Sequence, residues 1–351
     1  MPPAPKVVVP AKELSGFVTD LFVRAGVRPE HAATLTEVLI WASLRGVDSH
    51  GASRVPRYLE MFESGVANAA PDIRVVSEAA AVAVVDADRA PGPVALTVAA
   101  DEAVRRARAN GIGAAGVRGT VHTGAIGYYT SRIAESGLAG IGFVAGMPNM
   151  SYTGVKGAAV ATSPLSVAVP AEGHAPALLD MATAQIALGK IAQYRNAGRT
   201  LPEGAAATAD GVPTTDPNVA KIPLPLGGTK GAGMSLMFEL ITSVLLGAPI
   251  LSSFHGDDPA GRKHRQNALL IALDPAAFGG DGFAAAAGTT LETLKGLTRA
   301  DEDTEIVYPG ERSAATAETR TTKGVPIAAK VWNELRTAAD KLGATPPHPA
   351  N

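Results

Sequence analysis

The stretch that decides the fold reads GIGAAGVRGTVHTGAIGYY and runs from Gly111 to Tyr129. Its first six residues match the dinucleotide-binding pattern G-x-G-x-x-G letter for letter. A dinucleotide turn follows a strand and opens a helix. This stretch instead follows the helical pattern of Pro93–Ala109 and runs into a strand-like segment, Gly113–Val117. We therefore interpret it as a turn into a strand, with a dinucleotide fingerprint as the less favoured alternative.

Outward from this stretch, strand and helix patterns alternate. Helices are predicted where apolar residues recur at helical spacing, over Ala11–Ala25, Pro29–Leu44, Val55–Phe62, Pro93–Ala109, Ala125–Ser136, Gly231–Gly247 and Pro326–Leu342. Strands are predicted over Ile73–Val76, Ala81–Val85, Gly113–Val117, Gly140–Val144, Leu165–Val169 and Leu269–Leu273. Leu178–Thr183 is predicted as a strand that turns into a helix carrying Lys190, and Gly204–Pro217 as a polar loop. The class is therefore α/β or α+β.

The composition excludes several kinds of protein. The 351 residues carry 31 basic and 33 acidic side chains, a net charge of −2, which indicates neither a nucleic-acid surface nor a polybasic membrane contact. Cysteine is absent, which excludes disulfides, thiolate catalysis and cysteine-ligated metals. The longest apolar stretch, Met234–Leu251, carries Glu239 and is too interrupted to span a membrane. We expect a cytoplasmic protein of about two or three domains.

A second glycine cluster, Gly227–Gly233 (GGTKGAG), lies just before the long predicted helix. Backbone N–H groups at a helix N-terminus receive anions, and Lys230 adds a positive charge. The order G-x-x-x-x-G-K-[ST] of a nucleoside-triphosphate loop is not found here. The cluster therefore predicts either an anion site or a structural helix cap with a surface lysine.

Two of the seven histidines stand out, because glycine and hydroxyl residues flank them. His122 is predicted at the junction of a strand and a helix, where small ligands are often held, and its imidazole can give or take a proton near neutral pH. His50 lies beside Ser49 and near Arg54, whose guanidinium suits a carboxylate. Adjacent side chains rarely face one another, so Ser49 is not expected to use His50 as its base, and no hydrolase triad is predicted. Capping or packing is the alternative for both histidines. The others are interpreted as ordinary, with a metal site between His255 and Arg265 as a less favoured alternative: His31, His174, His255, His264 and His348.

Several long motifs, in order and over nearly the whole chain, resemble those of the type-2 malate/L-lactate dehydrogenases. They are RGVDSHGASRVPRY (Arg45–Tyr58), VHTGAIGYY (Val121–Tyr129), LLDMATAQIALGK (Leu178–Lys190), DGVPTTDP (Asp210–Pro217), LGGTKGAGMSLMFE (Leu226–Glu239) and YPGER (Tyr308–Arg312). The family also includes ureidoglycolate and sulfolactate dehydrogenases and cyclic-imine reductases, and the segment from His122 to Lys190 is especially similar to the ureidoglycolate enzymes. The resemblance implies an NAD(P)-dependent oxidoreductase that moves a hydride between the nicotinamide and a 2-hydroxy or 2-oxo acid. NAD is favoured as the cofactor, with NADP as the alternative.

The resemblance also implies a fold that is not of the Rossmann type. It has a mostly antiparallel central sheet with helices, and a helical domain made from both chain ends. We divide the chain accordingly into a helical, dimerising domain (1–70 with 310–351), a substrate-side segment (71–120) and a cofactor-binding domain (121–309). The active enzyme is expected to be a homodimer or a higher homo-oligomer.

Individual residues take their roles from the same resemblance. His122 matches the catalytic histidine, and Ser49 with His50 matches a motif that lines the reaction site, with His50 predicted as a second catalytic residue. Arg54 matches the residue that holds the substrate carboxylate. Arg262 matches a second substrate arginine across a gapped loop. The cofactor-contact segments match Thr183, Ala184, Gln185, Ile186, Lys230, Gly310, Glu311 and Arg312.

Two places depart from the family pattern. The segment Gly146–Met150 (GMPNM) replaces a more polar stretch near the substrate, and Ser163 stands where the family has an asparagine. An apolar wall containing Met147 and Met150 argues against assuming ureidoglycolate as the substrate. Two other functions remain open: a reductase of cyclic imino acids, and a non-catalytic relative that binds a nucleotide or acts as a scaffold.

Overall fold

The computed structural model describes residues 6–349. Its strands are β1 (Lys6–Val9), β2 (Arg74–Glu78), β3 (Val82–Asp86), β4 (Ile112–Thr120), β5 (Ala139–Ala145), β6 (Pro164–Val169), β7 (Ala177–Ala182), β8 (Ala206–Ala207), β9 (Pro213–Thr214), β10 (Ile222–Pro223), β11 (Gln266–Leu273) and β12 (Val325–Ala328). Its α-helices are α1 (Ala11–Arg24), α2 (Pro29–Leu44), α3 (Val55–Glu63), α4 (Gly92–Asn110), α5 (Gly127–Glu135), α6 (Leu188–Asn196), α7 (Thr229–Glu239), α8 (Leu251–His255), α9 (Phe283–Lys295), α10 (Glu311–Lys323) and α11 (Ala329–Leu342). No helix within residues 6–349 is long and apolar enough to cross a membrane.

A seven-stranded sheet with the order β2-β3-β4-β11-β5-β6-β7 forms the centre of the molecule. Among its strands, β3 and β4 pair in parallel, joined by the crossover helix α4. The other neighbouring strands pair antiparallel. The expected mixed architecture with a mostly antiparallel central sheet is therefore confirmed.

The glycines of the opening stretch determine how closely other elements approach β4. Gly111 ends α4 at φ 81°, in the left-handed region that glycine favours. A Cβ on Gly113 would lie 2.1 Å from the backbone oxygen of Ala103 in α4, and one on Gly116 would lie 2.3 Å from a methyl carbon of Leu246. The pattern G-x-G-x-x-G is thus a helix end and a closely packed strand, as the sequence context indicated.

Two large apolar cores hold these elements together. One lies between the sheet and its helices and is rich in alanine and valine from α4, β4 and β11. The other collects side chains from α1, α2, α3, β12 and α11, so both chain ends contribute to it. Strand β1 pairs antiparallel with β12, with Lys6 opposite Ala328. The two ends of the chain therefore fold together.

Two of the predicted helices are wrong in extent. The predicted helix Gly231–Gly247 is α7, which begins earlier, at Thr229, and is followed by a π-turn over Leu240–Val244. There the Glu239 carboxylate accepts hydrogen bonds from the backbone of the returning chain. The predicted helix Pro326–Leu342 begins as strand β12, because β1, nearly the whole chain away, supplies its partner.

Two connections were also predicted wrongly. Strand β7 does not turn directly into a helix, because residues 183–187 intervene before α6, which carries Lys190. The polar loop Gly204–Pro217 contains β8 and β9, which form a small antiparallel sheet with β10. These strands are two residues long, too short for an alternating pattern to reveal them.

Candidate active site

His122 lies on the turn between β4 and α5, at the junction that the sequence predicted. Its backbone oxygen accepts a hydrogen bond from Gly92 N at 3.1 Å, at the start of α4. The next residue, Thr123, donates its N–H to Gln266 Oε1 of β11 at 2.9 Å. A Cβ on Gly92 would lie 2.4 Å from Thr123 Cα, so glycine is required for this approach. The imidazole is thus carried on a backbone fixed from two neighbouring elements.

Tyr58 of α3 contacts the His122 imidazole, and sequence analysis missed it. Its side chain is 1% exposed, and its hydroxyl lies 2.9 Å from His122 Nδ1 and 2.8 Å from the His122 backbone oxygen. Gly124 N makes a longer contact to the same Nδ1, at 3.3 Å. One signal in the sequence could have identified Tyr58. It follows Arg54 by four residues, the spacing at which side chains share one face of a helix.

His50 stacks on His122, with ring centroids 5.6 Å apart and planes 21° from parallel. It ends a short 3-10 turn, Asp48–His50. The Ser49 hydroxyl lies 3.0 Å from His50 Nδ1, so the expectation that these adjacent side chains would not meet was wrong. The tight 3-10 backbone brings them together. The two histidines predicted as catalytic are therefore neighbours in space.

Arg54 joins this group through the backbone of Ser49. Its Nε donates to the Ser49 backbone oxygen at 2.6 Å, which fixes the guanidinium. Among the described residues it forms no ion pair. Burial lowers the pKa of this half-buried side chain, and the nearby Arg57 lowers it further, while Tyr58 acts in the opposite direction. A half-buried guanidinium without a carboxylate partner is suited to take one from a ligand.

The same environment keeps both imidazoles neutral. Burial holds the pKa of His122 well below 6.5, and the charges of Arg54, His50, His264 and Arg57 lower it further. Burial followed by the charge of Arg54 lowers the pKa of His50 to about 4. At neutral pH His122 is therefore ready to accept a proton.

The second predicted substrate arginine, Arg262, lies on the loop that precedes β11. Arg262 ends a short 3-10 turn, Pro259–Arg262, and its side chain is exposed. His264, two positions further along the loop, is among the groups that lower the pKa of His122. From the sequence it is interpreted as ordinary. The chain leads from His264 into β11, where Gln266 Oε1 accepts from Thr123 N of the His122 turn.

The predicted cofactor segments Thr183–Ile186 and Lys230 lie side by side. Leu226 N donates to the Thr183 backbone oxygen at 2.8 Å, and Gln185 N donates to Leu224 O at 2.8 Å. A Cβ on Gly231 would lie 2.4 Å from the Thr183 oxygen, so α7 begins against this segment. Contrary to the expected order, α7 starts inside the glycine cluster and Lys230 is exposed in its first turn.

The third cofactor segment, Gly310–Arg312, begins α10 at the other end of β7. Leu178 N donates to Pro309 O at 2.8 Å, and a Cβ on Gly310 (φ 94°) would lie 2.9 Å from Leu178. Glu311 is held by Lys295 and by Tyr308 N, whereas Arg312 is exposed. Thr183 follows Leu178 by five positions of extended chain, which places the two about 16 Å apart at the rise of a strand. The three segments thus lie along one edge strand.

Thr183 offers a direct test of whether a cofactor fits here. Its side chain is 1% exposed, and its Oγ1 is buried without a hydrogen-bond partner among the described residues. A buried hydroxyl that lacks a partner is costly unless a ligand or water supplies one. The orphaned hydroxyl and the glycine cradle of α7 therefore fit a bound polar group.

The two segments that depart from the family pattern, Gly146–Met150 and Ser163, lie in the interior near the predicted cofactor segment. Met150 is fully buried and packs with Val160 and Ala184, behind the cofactor segment. It therefore does not form the apolar substrate wall expected from the sequence. Ser163 is buried beside Ser235, whose hydroxyl donates to it at 3.4 Å.

Comparison with known proteins agrees with this geometry. The model of the family described as malate/L-lactate dehydrogenase matches residues 9–336. The chain is 33% identical to the NAD(+) ureidoglycolate dehydrogenase of Escherichia coli K12 over 326 residues, 92% of this chain and 93% of that one.

Solved structures are similar over almost their entire length. The sulfolactate dehydrogenase from Methanocaldococcus jannaschii has a TM-score of 0.88 at 31% identity, over 96% of this chain and 98% of that one. The Δ1-piperideine-2-carboxylate reductase from Pseudomonas syringae pvar. tomato has a TM-score of 0.85 at 29% identity, over 95% and 99%. These similarities define an enzyme of the oxidoreductase class. The chain belongs to the malate/L-lactate dehydrogenase family.

Proposed function

We propose that this enzyme transfers a hydride between a nicotinamide cofactor and a small 2-hydroxy acid or 2-oxo acid. One observation carries the proposal: the neutral His122 imidazole, held between Tyr58 and His50, shares its site with the unpaired Arg54 guanidinium. A substrate carboxylate at Arg54 places the adjacent carbon and its oxygen toward the imidazole. This provides the orientation and the acid/base group that the reaction requires.

The proposed role of His122 needs its proton on Nδ1 and its lone pair on Nε2. The Tyr58 hydroxyl has one proton, and the His122 backbone oxygen, at 2.8 Å, can only accept it. In this tautomer Tyr58 accepts from Nδ1–H at 2.9 Å, and the Gly124 N–H, 3.3 Å from Nδ1, no longer finds an acceptor there. In the oxidation of a hydroxy acid, His122 Nε2 takes the hydroxyl proton. In the reduction of an oxo acid, it returns the proton to the oxygen.

The cofactor is proposed to bind along β7, with Thr183, Ala184, Gln185, Ile186 and Lys230 at one end and Gly310, Glu311 and Arg312 at the other. The support is the orphaned Thr183 hydroxyl and the backbone cradle at Gly231. A bound nicotinamide supplies the hydride chemistry, and the chain supplies binding and orientation. We propose NAD over NADP, a site of the non-Rossmann type, and a homodimer as the active form.

The test is turnover followed by cofactor absorbance, with NADH and NADPH in separate assays. Pyruvate, oxaloacetate, glyoxylate, sulfopyruvate, ureidoglycolate and a cyclic imino acid form the panel. Ureidoglycolate, which is already a hydroxy acid, is assayed with NAD+ and NADP+ as hydride acceptors. We expect turnover with at least one 2-oxo or 2-hydroxy acid. If none is turned over and neither cofactor binds, the proposal is wrong and a non-catalytic relative is indicated.

The similarity to a Δ1-piperideine-2-carboxylate reductase favours one alternative, reduction of a cyclic imino acid. The same Arg54 would hold the carboxylate, but hydride would go to a C=N bond. Because the imine nitrogen is basic, its protonation places a different demand on His122. Faster turnover of the cyclic imine than of every oxo acid in the panel would select this alternative.

A further inference from the structure

Helix α10 connects the third predicted cofactor segment to the turn that carries Ser49 and His50. It begins directly after Gly310, whose backbone lies against β7. Ten residues further on, about 15 Å along a helix, the side chain of Arg320 reaches the end of α2. This side chain is charged but only 14% exposed. The proposed reaction gives it no role.

The Arg320 guanidinium binds two groups at once. Its Nη1 donates to the Ser43 backbone oxygen and to Asp48 Oδ1, both at 2.5 Å, and its Nη2 lies 3.5 Å from Asp48 Oδ2. Ser43 lies in the last turn of α2, where carbonyl oxygens lack partners within the helix and a cation is favourable. Asp48 is the first residue of the 3-10 turn that ends at His50. One nearly buried cation therefore ties the end of α2 to the start of this turn.

The contacts of the turn lead from Asp48 to the residues around His122. Ser49 follows Asp48 directly, and its hydroxyl lies 3.0 Å from His50 Nδ1. Its backbone oxygen accepts from Arg54 Nε at 2.6 Å. His50 in turn stacks on His122. The position of Asp48 therefore affects both the stacked imidazole and the guanidinium proposed to hold the substrate carboxylate.

The exit of the turn is anchored to α2 by contacts that do not involve Arg320. Ala52 N donates to Ser43 Oγ at 2.8 Å, and a Cβ on Gly51 would lie 2.1 Å from the same oxygen. Arg320 thus holds the entrance of the turn, and Ser43 Oγ holds its exit. Loss of the Arg320 contact should loosen the entrance without unfolding the whole turn.

We propose that Arg320 is a positioning residue for the reaction. By holding Asp48, it keeps His50 stacked on His122 and keeps the Ser49 backbone oxygen in place for Arg54. The expected effect on turnover rests on the proposed function. The expected effect on the exposure of His50 rests on the contacts alone.

The first experiment measures kcat/KM for the best acid of the panel, with the enzyme counted as cofactor-binding sites so that unfolded protein does not contribute. Arg320→Gln is expected to lower kcat/KM about tenfold, as for loss of one charge-assisted contact, with Kd for the cofactor nearly constant. Arg320→Lys keeps the charge and should recover part of the loss. Asp48→Asn should lower kcat/KM in the wild type but by less than about twofold in the Arg320→Gln background, because both changes act on one contact.

The second experiment needs no turnover. It follows the modification of His50 by diethylpyrocarbonate through mass spectrometry of the peptide that contains it. Arg320→Gln should raise the rate of modification several-fold, because a loosened turn exposes the imidazole. Asp48→Asn, at a half-exposed position, should act in the same direction and serves for both experiments if Arg320→Gln does not fold.

Arg108→Gln is the matched control. Arg108 also donates to a backbone oxygen, that of Ser136, and to a carboxylate, that of Asp274 at 3.5 Å. It lies in the last turn of α4, at the opposite end of that helix from the His122 turn. Neither kcat/KM nor the modification of His50 should change in this variant.

Two results would overturn the proposal while the proposed function stands. One is unchanged kcat/KM and unchanged modification of His50 in both Arg320→Gln and Asp48→Asn. The other is an equal loss in Arg320→Gln and Arg108→Gln, which would reflect weakened folding in general. If the wild type turns over no acid of the panel, the proposed function fails, and the modification of His50 alone decides whether Arg320 positions the turn.

Discussion

The proposed acid/base pocket around His122 and the proposed cofactor edge along β7 are built by different means. Around His122, side chains do the positioning, since Tyr58, His50 and Gln266 each contact the imidazole or its turn. Along β7, backbone atoms do most of it, through the hydrogen bonds of residues 178–185 and close approaches at glycine. Changes of side chain should therefore damage the first region, and added Cβ atoms should damage the second.

The largest expected effect is that of His122→Ala. Loss of a positioned acid/base group typically costs about 10²- to 10⁴-fold in rate. We expect kcat for the best panel substrate to fall by about that factor, while the Kd for NADH, measured by fluorescence titration, changes little. A near-normal rate would remove His122 from its assigned role and would break the distinction between the two regions.

Arg54→Lys keeps the charge and removes the planar fork together with the bond from Nε to Ser49 O. We expect KM for the acid substrate to rise about 10- to 100-fold, because a point charge cannot replace bidentate contact. The effect on kcat should be smaller, and NADH binding serves as the control. If KM for the acids does not change, the carboxylate is held by another residue.

The cofactor edge is tested with two glycines of the same helix. A Cβ on Gly231 would lie 2.4 Å from Thr183 O, whereas one on Gly233 would meet nothing within 4 Å. Gly231→Ala should cost about 1–3 kcal/mol in the free energy of unfolding through overpacking and raise the Kd for NADH about tenfold, an estimate that corresponds to about 1.4 kcal/mol. Gly233→Ala should be neutral or stabilise by up to about 1 kcal/mol. Equal behaviour of the two variants would contradict the proposed cradle.

Tyr58→Phe removes the hydroxyl while it retains the ring against His122. Without its partner, Nδ1 no longer fixes the tautomer, and we expect kcat to fall about tenfold with KM for the acid nearly constant. Phe22, which packs edge-on against Tyr58, provides a structural control. Phe22→Leu should lower the melting temperature without lowering kcat. A kcat that is unaffected in Tyr58→Phe would argue against tautomer control.

The smallest effect concerns pH. Oxidation requires neutral His122, and its pKa lies well below 6.5 because burial and cationic neighbours disfavour the charged form. As pH falls through 6.5, kcat/KM for oxidation should therefore hold steady and decline only at lower pH. An acid limb centred at or above 6.5 would contradict the lowered pKa of His122, because kcat/KM for the acid reports the enzyme before the acid binds.

Sequence reasoning worked well where signals were local. The helix stripe of Ala11–Ala25, the context of Gly111–Gly116 and the position of His122 at a strand–helix junction all followed from short-range pattern. It failed where partners are distant in the chain. Strand β1 and the first residues of the predicted helix Pro326–Leu342 are strands because they pair with each other.

The site shows the same division. His50, Arg54 and His122 are flanked by conspicuous residues, whereas Tyr58 and His264 gain their importance from what α3 and β11 bring next to them. Helices α9 and α10 were not predicted from the sequence. In α10 the described residues include no buried side chain, so the sequence has no apolar stripe there to indicate a helix. Met150 shows the reverse error, since an apolar residue near a site motif was placed at the substrate and lies in a separate core.

The pairing of β1 with β12 also has a consequence for biosynthesis. Because the partner of Lys6 is Ala328, the first strand emerges from the ribosome long before the last one exists. At about 5–20 residues per second, the N-terminal helices wait on the order of tens of seconds for their missing core. During that time their apolar faces are open to chaperones. A C-terminal truncation before β12 would leave the N-terminal strand without its partner.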